Sequence, residues 1–208
     1  MVASLLEREG VECPLVTSID ELKSLTNSTA TAVVVARKIR LIPAEDARKE
    51  AKNTVQALKS IGCKRFYYKY CATFDSTSQG NIGPIAEAMM EQLNASRTIF
   101  CPAFPEYTVT IFQGRMFLGK TLLGESFKKN DPVTPMTNSN LVEVLASQTN
   151  QKVGLIPHSV LLKGTKTIET HLNGLKSTRF FIADAADDID LERIAELTIN
   201  WPLTTGAD

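Results

Sequence analysis

The chain has 208 residues, 43% of them apolar and 22% charged, with 23 basic residues balanced by 23 acidic ones. That length suits one well-buried core, so a single domain over 1–208 is expected. Zero net charge leaves no basic excess for nucleic acid, and apolar runs such as "TAVVVA" and "RTIFCPAF" fall far short of the roughly 20 residues of a bilayer-spanning helix, so neither partner is expected.

The opening "MVASLLEREG" lacks the apolar stretch and cleavage site of a signal peptide, which makes a cytoplasmic location the simplest expectation. It reads as the remainder of an amphipathic helix through Ala3, Leu5 and Leu6, ended by Gly10. Ser18, with Glu21 three residues later, forms a capping box that starts a short helix. "TAVVVA" (Thr31 to Ala36) predicts a strand buried on both faces. Pro43 and Gly62 bracket a helix whose apolar face runs through Ala44, Ala47, Ala51, Val55, Leu58 and Ile61.

"KRFYYKY" predicts a strand, "PIAEAMMEQL" a helix and "RTIFC" another strand. Between about 104 and 125 the alternation breaks, and Gln113-Gly114 between β-rich runs predicts a hairpin excursion. Regular order resumes with a helix near "SNLVEVLASQ", a strand at "KVGLIP", a helix within "GTKTIETHLNGL", a strand at "RFFIADA", a helix at "DLERIAEL" and a last strand at "WPLTT". Such alternation predicts an α/β, doubly wound, mostly parallel sheet in a Rossmann-like three-layer arrangement.

Cys13, Cys63, Cys71 and Cys101 form no C-x-x-C pair, so they point to neither a zinc site nor a redox motif. Cys71 and Cys101 lie in apolar runs and are expected to be buried thiols.

The stretch "KYCATFDSTSQGNIGPIAEAMM" (Lys69 to Met90) carries the chemistry. It passes from strand to helix at the carboxyl edge expected of a parallel sheet, where ligands of open α/β folds bind. Gly80 and Gly83 would let backbone approach a ligand, and the free N–H groups of a helix starting near Ile82 would favour an anion. Asp75 can accept substrate hydroxyls or take a proton, Ser76, Thr77 and Asn81 can donate, and Lys69 supplies positive charge. The set suits a small polyhydroxylated anion; the competing reading is that Asp75, Ser76 or Asn81 only caps the helix while the glycines shape the loop. Neither a Walker motif nor G-x-G-x-x-G is present, so this turn is not read as a nucleotide site.

"YYKYCATFDSTSQGNIGPI" resembles the substrate-binding signature of the four-carbon acid sugar kinases, in a form nearest the 3-oxo-tetronate kinase branch. "PAFPE", "FQGRMFLGKTLLGES" and "DPVTPM" resemble the next blocks of that family in the same order. The resemblance implies an ATP- and Mg²⁺-dependent transferase of carbohydrate metabolism that phosphorylates the terminal hydroxyl of a four-carbon sugar acid. It also implies that this chain is the N-terminal sugar-acid-binding domain, inactive alone, whose partner is a C-terminal nucleotide-binding domain, and it admits a homodimer. Carried over by position, the substrate-binding residues are Arg40, Lys69, Asp75, Ser76, Thr77, Gly80, Asn81 and Gly83, with Asp75 the candidate for proton transfer.

The family opens with a strand and an acidic loop that this sequence does not show, which would leave a central place in the sheet open. Thr108-Val109 stands where the family pattern has Gly-Arg, and Gln79 where it has a basic residue. Loss of those cations keeps a second reading open, a catalytically lapsed carbohydrate-acid-binding or interaction domain. His158 is read as a loop histidine able to face the cleft, and His171 as solvated. Asp184, Asp187 and Asp188 invite a metal reading, with helix capping by Asp187 or Asp188 the simpler one. "ESFKKND" is read as a solvated loop.

Overall fold

In the computed structural model, which describes residues 2–207, helices flank a five-stranded parallel sheet. Helix α1 (Val2–Arg8) leads to strand β1 (Leu15–Val16), α2 (Ile19–Ser24) and β2 (Val34–Val35). Next come α3 (Ala44–Ser60), β3 (Phe66–Lys69), α4 (Ile82–Leu93) and β4 (Thr98–Cys101). The excursion is an antiparallel sheet of β5 (Val109–Phe112), β6 (Arg115–Leu118) and β7 (Thr121–Leu122), followed by 3-10 turns at Leu123–Glu125 and Phe127–Asn130. The remainder is α5 (Leu141–Ala146), β8 (Lys152–Ile156), α6 (His158–Leu161), α7 (Thr165–Gly174), β9 (Thr178–Ala183), α8 (Asp188–Thr198) and β10 (Leu203–Gly206).

The main sheet runs β3-β10-β4-β9-β8, with every pair parallel. The last strand therefore enters between β3 and β4, where Thr205 Oγ1 bonds the Tyr70 hydroxyl and the Ile99 carbonyl. Strands β4 and β9 are buried almost end to end, and Phe100 packs between Tyr70 and Phe180 with ring centroids 6.1 and 5.0 Å away. Offset and tilted ring pairs of this kind add roughly 0.5–1.5 kcal/mol each beyond their area burial.

Local chemistry explains the helix ends. Ser18 Oγ accepts the Glu21 N–H at 3.1 Å while the Glu21 carboxylate takes the Thr17 N–H at 2.7 Å, a capping box shifted by one residue. Helix α3 buries Ala47, Ala51 and Val55, and Gly62, at φ 95°, supplies the left-handed residue that ends it. The hairpin turn falls at Gln113 and Gly114, both at positive φ, as a type I′ turn requires.

"TAVVVA" departs from expectation. Only Val34–Val35 is extended, and it is half-buried because it pairs with β1 in a separate two-stranded sheet rather than joining the main one. Strands β1 and β7 and helix α6 are too short to leave a periodic signal in sequence. Both β2 and β3, each paired on one side among the described residues, line a cavity of 1130 Å³ whose other walls include Leu6 of α1 and Ala51 and Val55 of α3.

Thr108 has φ 57°, a left-handed conformation costly for a β-branched residue, and Val109 beside it is buried in the core. Thr108→Gly is expected to raise stability by about 0.5–1 kcal/mol, since relief of that strain outweighs the added chain entropy. A melting temperature that falls would refute this.

Candidate functional site

The turn after β3 is built on a strained residue. Phe74 is fully buried at φ 51°, with its ring edge-on to Tyr70 at 5.2 Å. Ring burial offsets a backbone cost of roughly 1–3 kcal/mol and aims the next side chain, Asp75, inward. The Asp75 side chain is 2% exposed, and its Oδ2 accepts from Arg40 NH2 and from Lys128 Nζ, each at 2.6 Å. Its Oδ1 accepts from Thr73 Oγ1. Three distant segments thus meet at one carboxylate: the loop after β2, the turn after β3, and the end of the excursion.

Arg40 is brought there by Asn81. The Asn81 Nδ2 donates to the carbonyls of Ile39, Arg40 and Ile42 at 2.6, 3.1 and 2.8 Å, so the residue at the start of α4 pins the loop that carries Arg40. Lys128, 16% exposed, also bonds Asp131 at 3.3 Å. Bonds from the Thr134 and Val133 N–H groups hold the Asp131 carboxyl down to about 2. "ESFKKND" is exposed at Glu125, Phe127, Lys129 and Asn130, as read from the sequence, but Asp75 draws Lys128 inward.

The start of α4 differs from expectation too. Gln148, just past α5, accepts the Gly83 N–H at 3.0 Å and donates to Ser76 Oγ and the Thr77 carbonyl at 2.6 and 2.9 Å. With the Gly83 N–H taken by Gln148 and Pro84 lacking one, the start of α4 offers fewer free backbone donors to an anion than the sequence suggests. The glycines make room for protein rather than ligand: a Cβ on Gly80 would meet Ser76 Oγ at 1.8 Å, and one on Gly83 would meet Gln148 Cβ at 3.2 Å. Gly80→Ala is expected to cost about 1–3 kcal/mol by overpacking, read as a lower denaturant midpoint; an unchanged midpoint would show that the turn yields freely.

Of the sequence-derived set, Arg40, Asp75 and Asn81 come together in one ion-paired cluster, with Ser76, Thr77, Gly80 and Gly83 in the adjoining Gln148-braced turn. Lys69 stands exposed at the end of β3, and the cations on Asp75 are Arg40 and Lys128 instead. Gln79 is exposed. Lys128 and Gln148 escaped the sequence reading, since their partners lie 53 and 65–72 residues away.

Burial pushes the Asp75 carboxyl up, but bonds from Lys128 and Thr73, the Lys128 charge and Arg40 outweigh it and hold the group below its ordinary value of 3.8. A depressed folded value gives stability that is complete above the ordinary range and is lost as pH falls through the folded one. The melting-temperature gap between the unsubstituted chain and Asp75→Asn is therefore expected to narrow below pH 3.8. A gap that stays constant into acid would disprove the pairing.

A second cluster sits at the carboxyl ends of β8 and β9. Asp184, fully buried, accepts the N–H groups of Gln113, Gly114 and His158 at 2.8, 2.8 and 2.9 Å, tying the hairpin and α6 to β9. His158 Nε2 lies 3.2 Å from Asp190, and Asp187 caps α8 through the Asp190 N–H. His171 is not solvated but bonds the Leu155 carbonyl at 2.8 Å. Cys101 is buried as expected, and its thiol is pushed up to about 12 by desolvation. Cys71 is only half-buried, beside Thr73, because the strand ends before it. Among the described residues no three His, Cys, Asp or Glu side chains form a metal group, and none of the helices is long and apolar enough to cross a membrane.

Fold and site together define an α/β domain that presents a charged turn at the carboxyl edge of its parallel sheet. The chain belongs to the family described as the sugar-binding N-terminal domain, whose model matches residues 1–207. It is 41% identical over 208 residues to a 3-oxo-tetronate kinase of Cupriavidus necator, covering 99% of this chain and 48% of that protein. It is 38% identical over 207 residues to a 3-oxo-tetronate kinase of Haemophilus influenzae, covering 99% and 50%. A crystal structure of a Salmonella typhimurium protein matches with TM-score 0.91 and 34% identity over 99% of this chain and 50% of that one. The chain spans about half the length of the curated relatives it matches.

Proposed function

We propose that this chain is the sugar-acid-binding domain of an ATP-dependent 3-oxo-tetronate kinase that phosphorylates the terminal hydroxyl of its four-carbon substrate. The observation that carries this reading is the convergence of Arg40 and Lys128 on Asp75 within the turn whose sequence resembles the family's substrate signature. Phosphoryl transfer depends mainly on positioning and charge stabilisation, and an arginine fork is suited to orienting a substrate carboxylate. Arg40, half exposed, keeps donors for that carboxylate, and Thr77 has a hydroxyl for the sugar oxygens.

Asp75 spends both oxygens on Thr73, Lys128 and Arg40, so its role is to hold the cations in place rather than to take the substrate proton. Asp75 and Asp131 are committed to cations and backbone N–H groups and do not suit Mg²⁺. ATP and Mg²⁺ are assigned to a C-terminal nucleotide-binding domain, and this segment alone is expected not to turn over ATP.

Calorimetry of the chain with threonate, erythronate and their 3-oxo forms tests binding, and ATP consumption by a two-domain form on the same panel tests the reaction. Binding without phosphorylation of any member would favour a lapsed binding domain, the reading supported by Val109, a buried aliphatic where the family pattern has arginine. No binding of any member would defeat both.

A further inference from the structure

We infer that Lys128 is a specificity-determining residue, the second cation of a clamp, with Arg40, that selects ligands by their negative charge. The inference rests on the sugar-acid reading and adds to it a residue that the sequence signature does not contain.

Lys128 sits on the 3-10 turn Phe127–Asn130, remote in sequence from the β3–α4 turn, yet shares the Oδ2 atom of Asp75 with Arg40. Two cations on one carboxylate oxygen are close to each other, which is unfavourable unless further negative charge is near. Asp131 supplies part of it, but at 3.3 Å and with one oxygen already taken by the Val133 and Thr134 N–H groups. An ammonium has three donors, of which Asp75 and Asp131 use two; guanidinium has five, and one on Arg40 goes to Asp75. The remaining donors suit a carboxylate bridging the pair.

The clamp is open to a ligand through Arg40, whose side chain is half exposed. Exposed Leu41 follows Arg40, and exposed Phe127 and Val133 flank Lys128 and its partner loop. Asp75 fixes the clamp in advance, so little side-chain freedom is lost on binding.

Lys128→Gln keeps a donor toward Asp75 but removes the charge, and Lys128→Arg keeps the charge. Calorimetry of each variant with threonate, its neutral amide, acetate and malonate separates the outcomes. Threonate affinity is expected to fall roughly 10- to 100-fold in Lys128→Gln, with amide affinity nearly unchanged and threonate binding largely restored in Lys128→Arg. Threonate bound equally well by Lys128→Gln, or acid and amide weakened alike, overturns the clamp while leaving the sugar-acid reading intact. Lys128-dependent binding of acetate and malonate without preference for threonate upholds the clamp and overturns the sugar-acid reading. An unsubstituted chain that binds no carboxylate overturns both.

Discussion

Replacing Asp75 with Asn is expected to lower stability by about 2–3 kcal/mol, somewhat below the usual cost of breaking a buried ion pair because Arg40 is half exposed. The loss leaves the ammonium of Lys128, 16% exposed, facing Arg40 without the shared carboxylate. For a chain of this length the melting temperature should drop by roughly 4–12 °C. Added sulfate should recover part of the loss, since an external anion can occupy the place between the two cations. A variant as stable as its parent would mean that the pairs contribute little, and a loss that sulfate does not relieve would assign Asp75 a packing role.

Asp184→Ala is expected to cost more, about 3–4 kcal/mol. The carboxylate is fully buried and serves three backbone N–H groups, two of them in the Gln113-Gly114 turn and one at the start of α6. Each buried donor left unpaired costs roughly 1–3 kcal/mol, and water entering the new space would satisfy some of them. Hydrogen exchange should show the Gln113 and Gly114 amides losing protection ahead of the core amides of β4 and β9. Uniform loss of protection would instead mark Asp184 as a support of the whole sheet. Because the hairpin leads into the turn that carries Lys128, this variant should also weaken threonate binding; unchanged affinity would separate the two ends of the excursion.

Much of the fold was legible because it is periodic. Helix α3, with Pro43 before it, Gly62 after it and Ala47, Ala51 and Val55 four apart on one face, is determined by local chemistry, as are the capping box at Ser18 and the Gln113-Gly114 turn. The motif from Lys69 to Met90 likewise marked the place of the candidate site, and Arg40, Asp75 and Asn81 do meet there. Their roles were less legible. Asn81 reads as a donor to ligand or a helix cap, yet it spends its amide on three carbonyls of the Arg40 loop, and the glycines read as ligand-facing, yet they admit Ser76 and Gln148.

By itself the sequence determined an alternating α/β domain, a polar turn after the strand in "KRFYYKY", and membership of a sugar-binding family, since short-range periodicity and an ordered motif need no partner to be recognised. Only the tertiary structure decided that β10 enters between β3 and β4, that Gln148 closes the start of α4, and that Lys128 joins Arg40 on Asp75. Those outcomes depend on contacts between residues about 50 to 140 apart. At such separations, burial and charge pairing select the partner, and no local spacing records the choice.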